Sequence, residues 1–232
     1  MWNGTEDKIK VKITWIRHGM TKANEEHRYL GKTDEPLSET GIRLLQEKKK
    51  EYFSGPPEFL YTSPMKRCVQ TAELLFERKP VLIPEWKEMD FGQFEGKKYE
   101  ELKDNPDYQK WIDSNGTLPF PGGEAREQFI RRSMEGFDWM MSDILKKSER
   151  NTGIQSGTEK QYLRNNCEIE IPVVAVVHGG TIMAVLSSLT GGEYFDFQVK
   201  NGEGYETVLE WTQGRWKITI IYLQWIRKEI KL

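Results

Sequence analysis

The run Val173-Val174-Ala175-Val176-Val177 constrains this chain more than any other segment. An uninterrupted apolar run, nearly all β-branched, leaves no polar face for water. That pattern is expected of a strand covered by helices on both faces of a parallel sheet. Ile13-Thr14-Trp15-Ile16 reads as a second short buried strand, and Phe59-Leu60-Tyr61 and Val81-Leu82-Ile83 as further strands. Helices are predicted between them, from about Ser38 to Tyr52 and from Ser63-Pro64 to about Phe76. Ser63 stands there as N-cap with proline at the first helical position. Ile130, Met134, Phe137, Met141 and Ile144 step at helical spacing, which predicts a long amphipathic helix from Glu124. Another helix is predicted after Gly179, to about Leu189. Gln213-Gly214, between Thr207–Thr212 and Arg215–Tyr222, predicts a hairpin or adjacent edge strands.

Alternating strands and helices make an α/β protein with a mostly parallel sheet and helices on both faces. The 232 residues are read as one domain, 1–232. Residues 86–123, aromatic, charged and punctuated by Gly and Pro, form an inserted cap. Residues 146–166, polar and irregular, form a surface insertion. Lys and Arg (34) nearly balance Asp and Glu (36), and a net charge of -2 argues against a nucleic-acid binder held by a basic face. Two cysteines make no disulfide framework, which favours a reducing compartment. The first residues lack the apolar stretch of a secretory signal, and no run approaches the roughly 20 apolar residues of a membrane span. A cytoplasmic protein with no membrane partner is expected.

Only three histidines occur, and two open the same pattern just past a strand: His18-Gly19-Met20-Thr21 and His178-Gly179-Gly180-Thr181. Ligands of open α/β sheets sit beyond the carboxyl ends of the strands. The two histidines therefore share a site if their strands are neighbours. The helix after Gly179 offers unpaired N–H groups to an anion. Arg17 ends an apolar strand, where a charge requires an anionic partner, and Arg67 follows another strand end. Guanidinium groups match phosphate oxygens bidentately, so two Arg, two His and a helix N-terminus suit a phosphoryl group better than a neutral ligand.

These residues carry a resemblance. Ile16-Arg17-His18-Gly19-Met20-Thr21-Lys22-Ala23-Asn24 resembles the signature of the histidine phosphatase superfamily, which includes cofactor-dependent phosphoglycerate mutases. Arg28–Gly31, Asp34–Gly41, Thr62–Ala72, Glu88–Gly96, Pro121-Gly122-Gly123-Glu124 and Val177-His178-Gly179-Gly180 continue the match in family order. The resemblance implies the three-layer α/β/α fold of those mutases. It implies that His18 is the nucleophile and passes through a phosphohistidine. Arg17, Arg67 and His178 would hold the phosphoryl oxygens, with Asn24 as an uncharged donor and Gly19, Thr21 and Gly179 beside them. Spacing alone does not choose a proton donor among Glu85, Glu88 and Asp90; the family pattern selects Glu88. No metal or other cofactor is implied, since cationic side chains take that role. Met20 and Leu30 depart from the residues common in relatives.

The segment from Met89 to Gly123 contains Lys97, Lys98, Lys103 and Lys110 but no arginine, where the mutases carry extra arginines. It is rich in aromatics instead, which suits a larger or less charged leaving group, although packing of the cap's own core explains most rings equally well. The expectation is a phosphatase for a small-molecule phosphate monoester, with phosphate or sulfate as the ion its site would hold. The short cap resembles the α-ribazole phosphatase-like branch. The alternatives are a phosphoglycerate mutase, or a phosphate- or phosphoprotein-binding module without strong activity. The apolar strand Ile218–Tyr222 would pair in a homodimer if it lies at a sheet edge.

Overall fold

The computed structural model describes residues 9–52, 57–151, 169–212, 215–223 and 228–229. Strand β1 (Ile9–Arg17) runs parallel to β4 (Ile169–Val177), with Trp15 opposite Ala175 and Arg17 opposite Val177. On the other side of β4 lies β2 (Phe59–Thr62), and beyond it β3 (Val81–Leu82), both parallel. Past β1 the direction reverses. β5 (Gly204–Thr212) is antiparallel to β1, β6 (Arg215–Leu223) to β5, and β7 (Lys228–Glu229) to β6. Among the described residues the sheet reads β3-β2-β4-β1-β5-β6-β7. It is mixed, with a parallel half that carries the two histidines.

The valine run lies where its composition requires, in the middle of that parallel half. Ile171, Val173, Ala175 and Val177 point to one face, and Val174 and Val176 to the other. Each buried valine side chain contributes roughly 1.5–3 kcal/mol by leaving water. Two helices cover the second face: α2 (Glu39–Tyr52) and α3 (Lys66–Leu75), which follow the single turn α1 (Lys22–Glu25). The cap holds α4 (Tyr99–Leu102) and α5 (Pro106–Asp113). α6 (Arg126–Asn151) and α7 (Gly179–Thr190) cover the first face. On that side Trp15 stacks on Phe137 of α6 and donates its indole N–H to Thr207 Oγ1 at 3.0 Å, so its burial leaves no donor unsatisfied.

Three expectations change. α3 starts at Lys66, not at Ser63-Pro64, because Ser63 still belongs to the sheet: its N–H donates to Val176 O at 3.1 Å. The Lys66 N–H is satisfied from elsewhere, by Asp34 Oδ1 at 2.7 Å. Lys146 to Asn151 continue α6 rather than opening the surface insertion, whose remainder to residue 166 lies outside the described residues. β7 pairs with β6 at Tyr222 and Leu223, so that edge is covered there rather than bare. The hairpin strands pair as expected, with the turn at 213–214 outside the described residues.

The cap has a core of its own. Phe94, Leu102, Tyr108 and Phe120 bury together with Phe129 of α6 and Ala184 of α7. Of the rings singled out in the sequence, those three aromatics are thus packing residues, and Tyr99 is exposed. Among the described residues, no helix is long and apolar enough to cross a membrane.

Candidate active site

Strand register builds the site. Because Arg17 pairs with Val177, His18 and His178 leave the sheet side by side, with ring centroids 5.2 Å apart. Because Thr62 pairs with Val176, Ser63 leaves beside His178, and its Oγ lies 2.8 Å from His178 Nε2.

His18 is 3% exposed, and its Nδ1 lies 2.7 Å from Gly19 O. A carbonyl only accepts, so the proton sits on Nδ1 and the Nε2 lone pair is free. Burial, then the charges of Arg67 and Arg17, hold this imidazole's pKa well below the usual histidine value. The same causes act on His178, burial first, then Arg67 and His18. Both rings are neutral at pH 7. Cys68 Sγ lies 3.5 Å from His178 Nε2, but burial pushes the thiol far up and keeps it protonated.

Arg67, the second residue of α3, is fully buried and donates from Nη1 to Thr33 O and from Nη2 to Gly31 O, each at 2.8 Å. Arg17 Nη1 donates to Val199 O at 2.8 Å. The Nε groups of both arginines are buried and have no partner among the described residues. A Cβ on Gly179 would sit 3.4 Å from Arg17 Nε, so the first residue of α7 packs directly on that guanidinium. Two cations with a spare donor each, neutral imidazoles and a helix N-terminus make an electropositive cradle.

Glu88 is the carboxyl that joins it. Its Oε2 lies 3.9 Å from His178 Nδ1, and its Oε1 accepts from Met89 N at 2.9 Å. Burial raises its pKa above the usual carboxylate range, and the Met89 N–H, Arg67 and Arg17 only partly offset this. Asp90 is held elsewhere, paired with Lys32 at 2.8 Å.

A cleft of about 310 Å³ is lined by Arg17, Asn24, Glu88 and Gly179 of this cluster, whereas the buried His18, Arg67 and His178 do not line it. Gly19 and Thr21 serve the architecture rather than this surface. A Cβ on Gly19 would fall 2.5 Å from Leu45 Cδ1, and its N–H already donates to Thr71 Oγ1. Thr21 is fully buried as the N-cap of α1 and exchanges hydrogen bonds with Asn24. Leu30 lines the cleft, whereas Lys97, Lys98, Lys103 and Lys110 do not.

Two contributors went unread in the sequence. Arg132 of α6 donates to the carbonyls of Glu85, Lys87 and Glu88 and grips Glu124, so it fixes the segment that presents the acid. Asn201 Nδ2 donates to His18 O at 3.2 Å and Asn24 Oδ1 at 3.1 Å, tying the two loops together. The Glu124 motif was the only trace of the first; nothing local marked Asn201. Among the described residues no group of three or more His, Cys, Asp or Glu is arranged to hold a metal ion.

The model of the histidine phosphatase superfamily (branch 1) matches residues 13–223. An uncharacterized phosphatase, PhoE, of Bacillus subtilis is 27% identical over 210 residues, 89% of this chain and 91% of its own. The adenosylcobalamin/α-ribazole phosphatase of Salmonella typhimurium is 30% identical over 53% of this chain and 63% of its own. A phosphoglycerate mutase structure from Thermus thermophilus superposes with a TM-score of 0.56 at 25% identity, over 92% of this chain and 98% of its own.

Proposed function

The chain belongs to the histidine phosphatase superfamily, and from that premise we propose that it is a metal-independent phosphatase for a small-molecule phosphate monoester, with His18 as nucleophile. His18 Nε2 attacks phosphorus, and the phosphorus–oxygen bond to the leaving group breaks as the P–N bond forms. Arg17, Arg67 and His178 stabilise the charge on the equatorial oxygens, with Asn24 as an uncharged donor. Phosphoryl transfer asks for alignment and charge stabilisation above all. Glu88, whose burial favours the protonated form, gives its proton to the departing alkoxide. As a carboxylate it then takes a proton from water, whose oxygen attacks the phosphohistidine and releases phosphate and the free imidazole.

One observation carries this reading: a buried, neutral His18 whose Nδ1–H is committed to Gly19 O, leaving Nε2 as the nucleophile. The cap lysines lie away from the cleft, which supports hydrolysis over the mutase reaction. The aromatic walls support a bulky leaving group, and the name of the Salmonella relative makes α-ribazole phosphate one candidate. We expect turnover of p-nitrophenyl phosphate that EDTA does not reduce and that His18→Ala abolishes. Wild-type turnover in His18→Ala would remove the nucleophile assignment. Robust interconversion of 3- and 2-phosphoglycerate would favour the mutase.

A further inference from the structure

Resting on the phosphatase reading, we propose that Arg126, at the outer end of the cleft, selects a leaving group that carries its own anionic charge on an apolar or aromatic body. Tyr194 links the two ends of the cleft. Its hydroxyl donates to Gly180 O at 3.4 Å, and a Cβ on Gly180 would fall 2.6 Å from Glu88 Oε1. The tyrosine hydroxyl is thus close to the acid. Its ring face lies 5.3 Å from Arg126 Cζ, and the Phe195 ring lies 5.7 Å away. Arg126 therefore lies over the ring of a tyrosine whose hydroxyl stands near the proton donor, in the same cleft, within reach of the far end of a leaving group.

The charge there is uncompensated. Arg126 Nη1 donates to Asn115 O at 2.9 Å, and no carboxylate among the described residues pairs with it. The other outer cation of the cleft, Arg28, is neutralised by Glu26 at 2.7 Å and Glu101 at 3.2 Å. Aromatic faces attract a guanidinium but accept no strong hydrogen bond from it. Next to Arg126, a Cβ on Gly116 would lie 3.2 Å from the Trp111 ring and 3.5 Å from Phe195. The Trp111 indole N–H is buried without a partner among the described residues. This end of the cleft thus holds spare donors among aromatic walls, which a carboxylate or a second phosphate on an apolar body would satisfy.

The test compares kcat/KM for 4-carboxyphenyl phosphate with that for phenyl phosphate, so that each variant carries its own control for a general loss. The ratio is expected to fall about tenfold in Arg126→Gln, as loss of a charge-assisted contact implies, and to be largely kept in Arg126→Lys. In the unsubstituted chain it should also shrink as ionic strength rises. An equal ratio in Arg126→Gln and the unsubstituted chain would overturn the inference alone. Absence of any phenyl phosphate turnover by the unsubstituted chain would remove the phosphatase reading, and this inference with it.

Discussion

At the scale of single residues, one acid and two bases are buried inside a positive field. Burial disfavours charge on all three, and the arginines push the imidazoles further in the same direction while opposing the shift of Glu88. In the proposed reaction Glu88 donates only below its raised pKa, so turnover of alkyl phosphates should decline as pH rises through that value. Glu88→Gln should lose this alkaline limb and about 10²–10⁴ in kcat/KM for alkyl phosphates. For p-nitrophenyl phosphate, whose leaving group needs little protonation, the loss in kcat/KM, which reports formation of the phosphoenzyme and not its hydrolysis, should be far smaller. Equal losses of kcat/KM on both substrates would assign Glu88 a role other than proton donor. The clustering of His18, His178, Arg17 and Arg67 was legible because chemistry confined to strand ends leaves a local trace. Arg132 and Asn201 were not, since each acts through partners remote in sequence.

At the scale of elements, the first turn of α7 sets the distance between phosphate cradle and acid. Gly179 packs on Arg17, and Gly180 leaves room for the Glu88 carboxyl. Gly180→Ala would place a methyl 2.6 Å from Glu88 Oε1 and 3.1 Å from Phe129, both held by neighbours. The helix should tolerate alanine, so the expected effect is a fall in kcat of about tenfold or more from the displaced acid, with an unfolding midpoint near that of the unsubstituted chain. Unchanged kcat would show that the acid is not held where this packing puts it. The strands were legible for a similar packing reason: Val173–Val177 is buried on both faces, and composition records that directly. The start of α3 was not, because Ser63-Pro64 carries a good local helix signal that β4 overrides. Ser63 gives its N–H to Val176 O and its hydroxyl oxygen lies 2.8 Å from His178 Nε2, and both contacts come from β4 and the residue that follows it.

At the scale of the whole molecule, the cost of this site is stability in acid. The unfolded chain protonates its histidines near pH 6.5, whereas folded His18 and His178 bind a proton only well below that. Between those values the unfolded state binds more protons, so stability is full above pH 6.5 and falls as pH drops. The slope is up to about 1.4 kcal/mol per pH unit for each imidazole. Glu88 has the opposite sign, since its raised pKa stabilises the fold at low pH and that contribution is lost as pH rises through it. Denaturant unfolding at pH 7.5 and 5.5 should show a loss in acid that shrinks in His178→Asn, and an undiminished loss would place the titrating group elsewhere. Fold, sheet and cap converge on a single imidazole, so rapid quench with labelled substrate tests the account most directly. An acid-labile, alkali-stable phosphate on residue 18, absent in His18→Ala, is the expected result. Label that survives acid on Ser or Thr, or that persists without His18, would contradict it.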